Sequence, residues 1–236
     1  MKTNIFNVII LLVVLVGTLF ALSVMPDTVP VHFDIHGVAD RWGSKYEMLI
    51  MPGCMLAMLL FWIGIDVSYN QKINTSTDEK DIAEAKSNVK VIKFTSVITS
   101  LMFAVINGAT IYASYSQLEN TEALEFDFLK LLSIVMGISF ILLGNFMPKA
   151  KNNSTVGFRL PFTRFNDASW RKSNLVGGIA MIIQGVIMIL SGIIFKGDVA
   201  MIIMLVTLAV ILPAITIFAY VIYRQEKDKI NDKEES

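Results

Sequence analysis

Six long apolar runs are the feature that most constrains how this chain can fold. They cover approximately residues 4–24, 47–67, 91–112, 128–147, 175–195 and 199–223. About 20 apolar helical residues cross the hydrocarbon core of a bilayer. With 54% hydrophobic residues, the chain is also more apolar than a soluble domain. The runs therefore predict an all-α integral membrane protein built as a bundle of six transmembrane helices.

The segments between these runs are too short to fold alone, so we predict a single polytopic membrane domain over residues 1–236. Its polar parts are an outer motif loop, a cytoplasmic loop, a basic cytoplasmic motif segment and a charged cytoplasmic tail, at residues 25–46, 68–90, 148–173 and 224–236 respectively. A short interfacial helix over residues 78–86, capped by Thr77, is expected inside the cytoplasmic loop. The tail is expected to fray into solvent.

The distribution of basic residues predicts which way the bundle faces. If both termini are cytoplasmic, sixteen of the twenty Lys and Arg residues lie on the inner side. The outer loops then keep only Arg41, Lys45, Lys130 and Lys196. This asymmetry follows the positive-inside rule, so we expect both termini in the cytoplasm. The formal net charge is zero, which gives no indication of a nucleic-acid partner.

Small and polar residues inside the runs predict how the helices pack. Glycines recur at helix-packing intervals, including Gly17, Gly108, Gly137, Gly144, Gly178, Gly185 and Gly192. Small residues let helix backbones approach closely in lipid. Asn107 and Gln184 lie at depth, and we expect them to bond each other or a backbone carbonyl. No charged residue is expected near the centre of a span, which argues against an ion-coupled transporter.

The outer motif loop carries a candidate metal site. If residues 29–36 are extended, three side chains of suitable type for zinc share one face. They are His32, Asp34 and His36, with Asp40 or Asp27 as a fourth ligand. Polar turn residues on a wet loop explain the same composition, so we expect neither a tightly bound metal nor a cofactor. Histidine pH sensing is a further alternative, and Gly37 is expected to supply a turn.

The basic segment carries six Lys and Arg residues against a single acid, Asp167. Charge alone would fix topology and attract anionic lipid. The clustered Asn, Pro and aromatic residues indicate a defined shape instead. We expect Asn145 to anchor this shape at the end of the fourth helix, and Asn166 or Asp167 to cap the fifth. Arg159 and Arg164 have the guanidinium chemistry that grips a carboxylate or phosphate with two hydrogen bonds.

Both motif segments resemble a known family. The inner strings are Gly144-Asn145-Phe146-Met147-Pro148-Lys149, Lys151-Asn152, Gly157-Phe158-Arg159-Leu160-Pro161-Phe162-Thr163 and Trp170. The outer strings include Pro26, Val29-Pro30, His32-Phe33, Gly37, Asp40 and the stretch from Trp42 to Lys45. The inner strings are similar to the signature of the SdpI-like immunity proteins, and the outer strings to that family's N-terminal companion domain of unknown function. Phe162 departs from the family pattern, which prefers Trp there.

The resemblance implies a candidate site at the matching positions. On the inner side these are Asn145, Pro148, Lys149, Asn152, Gly157, Arg159, Pro161, Phe162, Thr163 and Trp170. On the outer side they are Pro30, His32, Gly37 and Asp40.

The resemblance also implies a multi-pass protein of the bacterial cytoplasmic membrane with a non-enzymatic immunity or sensor role. Its expected partners are the lipid bilayer, a secreted toxin peptide outside and a cytoplasmic repressor inside. The sequence has no Walker loop, no G-x-S-x-G and no HExxH motif. Two alternatives stay open: a small transporter or permease for a peptide or lipid, and a metal-dependent membrane hydrolase that uses the outer His and Asp residues.

Overall fold

The computed structural model describes residues 2–34, 38–118, 127–153 and 155–234. In these ranges, six helices are long and apolar enough to cross a membrane, which confirms the predicted fold. They are α1 (Lys2–Val24), α2 (Ile50–Thr75), α3 (Glu79–Ser116), α4 (Phe128–Phe146), α5 (Asp167–Ile194) and α6 (Gly197–Glu234).

Four of the helices, α2, α3, α5 and α6, run well beyond the apolar sequence that predicted them. Between α2 and α3 only residues 76–78 lie outside helices, so most of the expected loop over residues 68–90 is helical. The expected short interfacial helix is the first part of α3, and its cap is Asp78 rather than Thr77. α6 likewise continues through the charged tail, which was expected to fray. Extending an existing helix costs far less than nucleating one, so polar helix formers continue a span.

The outer motif loop forms an antiparallel hairpin with strands β1 (Thr28–Phe33) and β2 (Ala39–Ser44). The sequence predicted one extended strand that reached His36. β1 ends earlier, and β2 was not anticipated. His36 and Gly37 fall outside the described residues, so the turn expected at Gly37 stays a prediction.

The hairpin is attached to the last turns of α3. The Ser114 hydroxyl donates to the Pro30 carbonyl at 2.7 Å, and the Gln117 side-chain carbonyl accepts from the Ala39 N–H at 2.8 Å. Val29 is fully buried in an apolar cluster beneath the hairpin. The hairpin is therefore part of the packed structure at this end of the bundle.

The six helices divide into two groups of three. α1, α2 and α3 contact one another, as do α4, α5 and α6, and the described helices of the two groups meet mainly along α3 and α4. At this junction the rings of Phe94 and Phe146 stack with centroids 3.6 Å apart. We call these groups the first and second halves.

Glycine pairs bring α4 and α5 into direct backbone contact. A Cβ atom added to Gly185 would lie 2.5 Å from the Gly137 carbonyl oxygen, and one added to Gly144 would lie 2.6 Å from that of Gly178. The predicted close packing is confirmed for this helix pair. It is wrong at Gly17 and Gly108, where a Cβ atom would meet nothing within 4 Å.

Asn107 and Gln184 lie in different halves, so the expected bond between them is wrong. The Asn107 amide donates to the Thr18 hydroxyl at 3.1 Å. The Gln184 amide donates to the Thr207 hydroxyl at 2.9 Å and approaches the Met204 carbonyl at 3.3 Å. The alternative of a backbone carbonyl partner is thus confirmed for Gln184 alone.

Candidate functional site

The basic segment between α4 and α5 is folded by buried side chains, beginning with Asn153. This residue is 7% exposed. Its Oδ1 accepts from the N–H groups of Thr155 and Val156 at 2.7 and 2.8 Å. Its Nδ2 donates to the carbonyls of Lys151 at 2.6 Å and Val156 at 3.0 Å. One side chain therefore satisfies four backbone groups and closes the first loop of the segment.

Asn174 and Trp170 fix the middle of the segment to α5. Asn174 is fully buried, and its Oδ1 accepts from the Phe158 N–H at 2.8 Å. The buried Trp170 indole donates to the Ala150 carbonyl at 2.7 Å. Between them, Gly157 has φ of +117°, and a Cβ atom there would lie 2.5 Å from Asn174 Oδ1. This turn therefore requires glycine.

Thr163 and Asn166 shape the end of the segment. The Thr163 hydroxyl is fully buried, accepts from the Leu160 N–H at 2.9 Å and donates to the Phe158 carbonyl at 2.8 Å. These bonds hold a single 3-10 turn that begins at Pro161. Asn166 then accepts from the Ser169 N–H at 2.7 Å, so the predicted cap of α5 is Asn166.

The segment also bonds to the first half of the bundle. Asn88 of α3 is 2% exposed, and its Oδ1 accepts from the Lys151 N–H at 2.9 Å. The Ser87 hydroxyl donates to the Lys149 carbonyl at 3.3 Å, and the Tyr69 hydroxyl lies 3.3 Å from that of Thr155. The basic segment therefore joins the two halves at one end of the molecule.

Sequence analysis did not identify Asn88, Asn153 or Asn174 as members of this site. Asn88 lay in a stretch interpreted as a polar loop, where an amide is not expected to have a specific hydrogen-bond partner. Asn174 carried the only available signal, because it is a polar residue at the start of an apolar run. A buried amide there needs partners that match its donors and acceptors.

Several predicted residues have packing roles. Pro148 lies against Gly178, where an added Cβ atom would come within 3.1 Å of the proline ring. Phe162 packs edge to face on Tyr220 with ring centroids 5.8 Å apart, which links the segment to α6. Asn145 is exposed and forms no hydrogen bond with any described residue, so it does not provide the expected anchor.

The cationic side chains lie on the surface of this framework. Arg159 and Arg164 are both exposed, and the Arg164 Nε donates to the Asn152 side chain at 3.4 Å. The Lys149 ammonium lies 4.1 Å from the centre of the Phe146 ring, within the range of a cation–π interaction. The segment therefore presents its charges from a fixed backbone.

The outer candidate site is only partly described. His32 Nδ1 lies 2.6 Å from Asp40 Oδ1, and both side chains are exposed. Asp34 Oδ1 accepts from the Val38 N–H at 2.9 Å. No cluster of three or more His, Cys, Asp or Glu side chains suited to a metal occurs within the described ranges. His36 lies outside them, so the predicted trio stays untested.

Comparison with known proteins supports both motif segments. Residues 8–56 match a domain of unknown function, DUF1648, and residues 149–221 match the SdpI/YfhL protein family. The Immunity protein SdpI of Bacillus subtilis (strain 168) is 21% identical over 226 residues, which cover 95% of this chain and 98% of that protein. No solved structure matches. The predicted resemblance to the SdpI-like immunity proteins is thereby confirmed.

Proposed function

We propose that this multi-pass bacterial membrane protein, which is similar to the SdpI-like immunity proteins, protects the cell against a secreted toxin peptide. The outer hairpin and the outer ends of the helices would meet the peptide. The basic segment would face the cytoplasm and signal to, or hold, a repressor protein. The similarity to an immunity protein along 95% of the chain is the observation that carries this proposal.

The course of α3 supports a connection between the two faces. Ser114 and Gln117, near one end of this helix, bond the outer hairpin. Asn88, near the other end, bonds the basic segment. A continuous helix with a partner at each end transmits a shift or rotation better than a loop does. A conformational change at the hairpin would therefore be transmitted to the basic segment through α3.

A binding role requires no catalysis, and we propose that the protein is not an enzyme. The transporter alternative would be favoured by a charge near the middle of a span. The buried carboxylate of Asp66 lies 3.5 Å from the Lys93 ammonium and accepts from Asn4 at 3.1 Å. Because Asn4 is in the first turn of α1, this ion pair lies near one end of the bundle rather than at its centre.

The proposed orientation is testable by cysteine labelling. In a Cys54→Ala background, a single cysteine would replace the exposed Trp42 of the hairpin or the exposed Lys86 of α3. A membrane-impermeant maleimide applied to intact cells should label the cysteine at position 42 and spare the one at position 86 until the membrane is opened. The reverse pattern would place the basic segment outside and overturn the proposal.

The proposed function is testable by toxin challenge. Sensitive bacteria that express the chain would be exposed to membrane-depolarising peptide toxins, with survival and membrane potential as the measurements. We expect protection by the parent chain and reduced protection by Arg159→Lys, because an ammonium does not reproduce the two-pronged guanidinium contact. Lys227→Arg is the matched control in the exposed part of α6. Equal protection by parent and Arg159→Lys at equal protein level would remove Arg159 from the site.

A further inference from the structure

Two clefts lie on either side of Ala150, where the basic segment leaves α4. One has a volume of about 420 Å³ and is lined by charged residues, among them Lys149, Lys151 and Arg171. The other has a volume of about 200 Å³ and is lined mainly by apolar residues of α3, α4, α5 and the basic segment. Ala150 borders both clefts and is 3% exposed. A polar compartment and an apolar slot therefore adjoin at one end of the bundle.

We propose that these two clefts together form a binding site for one anionic phospholipid whose headgroup carries hydroxyl groups. The phosphodiester would occupy the charged cleft, and one acyl chain would enter the slot between the halves. Basic pockets between transmembrane helices bind the headgroups of anionic lipids in this way. The proposal concerns a resident lipid, and it holds whether or not the chain confers immunity.

The charge in the polar cleft is available to a ligand. Lys149, Lys151 and Arg171 form no ion pair with any carboxylate in the described part of the chain. Neighbouring bases are already paired: Lys80 with Asp167 at 3.3 Å and Lys172 with Glu226 at 2.7 Å. The three cleft bases thus differ from their neighbours in forming no direct ion pair, and they outnumber the two carboxylates of the same lining, Glu84 and Asp167, so a phosphate would supply the missing negative charge.

The same cleft contains groups that suit a hydroxylated headgroup. Glu84 and Asp167 contribute carboxylates to its lining, and Asn152 contributes an amide. A carboxylate repels a bare anion, whereas it accepts hydrogen bonds from hydroxyl groups. A glycerol headgroup attached to a phosphodiester offers both the negative charge and the hydroxyls. This combination distinguishes phosphatidylglycerol from a free phosphate ion.

The apolar slot has the position and lining that an acyl chain needs. Its lining includes Val91 of α3, Leu143 and Met147 at the end of α4, and Met181 of α5. Methionine side chains adapt to irregular apolar partners. The slot lies where the halves meet, close to the basic segment. A chain in the slot would therefore fill the junction and stabilise it.

The site can be tested with the purified full chain in detergent. The measurements are the number of lipids retained in native mass spectrometry and the shift of the melting temperature on adding phosphatidylglycerol or phosphatidylcholine. We expect one retained phosphatidylglycerol per chain and a higher melting temperature with that lipid than with phosphatidylcholine. The combined variant Lys149→Gln, Lys151→Gln and Arg171→Gln should weaken retention about tenfold or more.

Three comparisons separate this site from general attraction. The charge-matched control Lys86→Gln, Lys90→Gln and Lys227→Gln removes exposed bases elsewhere and should keep the lipid. Thr95→Phe should fill the slot and lower retention without a change of charge. Glycerol 3-phosphate, which has the headgroup chemistry and no chain, should cause no shift. Equal loss in the control variant, or an equal shift with glycerol 3-phosphate, would overturn the proposal.

Discussion

The two halves of the bundle hold their helices together by different means. In the first half, polar side chains cross between helices: Asn7 donates to Ser96 at 2.9 Å, and Asn107 to Thr18 at 3.1 Å. In the second half, α4 and α5 touch backbone to backbone at glycines such as Gly185. The second half also has side-chain bonds between helices, such as Gln184 to Thr207, but its α4–α5 contact depends on the absence of side chains at the glycines.

This difference indicates which half can change the packing of its helices. A hydrogen bond between membrane helices contributes about 0.6 kcal/mol on average, because polar groups readily find other partners. Asn7 also keeps its Oδ1 without a hydrogen bond to any described residue, so its amide has a spare acceptor. A glycine contact with no room for a methyl group has no such alternative. We expect the first half, which carries the hairpin, to move against a rigid second half.

The largest effect is expected from Gly185→Ala. The new Cβ atom would lie 2.5 Å from the Gly137 carbonyl oxygen and 2.8 Å from the Ile141 side chain, so α4 and α5 must separate. Overpacking of this kind costs about 1–3 kcal/mol, and occasionally more. Thermal unfolding of the purified protein would measure the loss of stability.

Gly108→Ala is the matched control, because it makes the same change in α3 where a Cβ atom meets nothing within 4 Å. Replacing an exposed helical glycine by alanine is expected to stabilise by roughly 0.5–1 kcal/mol. If both variants are equally stable, backbone contact does not define the second half and the comparison fails.

The next effect is expected at the basic segment, in Asn174→Ala. This change leaves the Phe158 N–H without its acceptor at 2.8 Å and removes the bond to the Trp170 carbonyl. An unsatisfied buried polar group costs about 1–3 kcal/mol. We expect lower stability. We also expect lower protection in the toxin assay, because the segment loses the hydrogen bond that fixes it to α5.

Asn145→Ala provides the control for that variant, since the Asn145 side chain is exposed. It should change stability by less than about 0.5 kcal/mol. Asn88→Ala extends the comparison by removing the shortest and most buried bond between the segment and the first half, while the weaker Ser87 and Tyr69 contacts and the bonds to α5 remain. If Asn88→Ala leaves protection intact, the Asn88 bond between the halves is not needed for function.

Much of this fold could be predicted from the sequence because the thickness of a bilayer sets the minimum length of a helix that crosses it. Any apolar run that spans it must be helical so that its backbone is satisfied. The ends of the helices were harder to predict from the sequence. Asp78 and Thr77 have similar capping chemistry, so only the geometry shows that Asp78 caps α3. Polar helical extensions carry no hydrophobic signal.

The candidate site was predicted from its residue strings and stays a prediction, whereas the anchoring role expected of Asn145 was wrong. The arginines were selected from the sequence because they carry charge. Asn145 was selected because it lies near the end of a predicted helix. The structure gives the central roles to Asn153 and Asn174, whose importance comes from burial. Burial at this position depends on the contact between α3, α5 and the segment, which no local pattern encodes.

A smaller effect is expected for the polar contact in the first half. Asn107→Ala and Thr18→Ala each remove the 3.1 Å bond between these side chains, both of which are buried. A double-mutant cycle of the unfolding free energy should give a coupling near 0.6 kcal/mol. A coupling above about 2 kcal/mol would show that the first half is held as firmly as the second. That outcome would contradict the expected division into a mobile and a rigid half.

The smallest effect is expected for Lys172→Gln in the second half. Lys172 lies 2.7 Å from Glu226, but the Lys229 ammonium lies 3.0 Å from the same oxygen and remains after the substitution. Because Lys172 is 42% exposed, water also screens this pair. Such pairs contribute about 0–1 kcal/mol, so the melting temperature should hardly change.

The reference is Lys172→Gln combined with Lys229→Gln, which leaves the nearly buried Glu226 without either described cation. This double variant should lower the melting temperature more than Lys172→Gln alone. If Lys172→Gln alone destabilises as much as Gly185→Ala, charge rather than backbone contact holds the second half together.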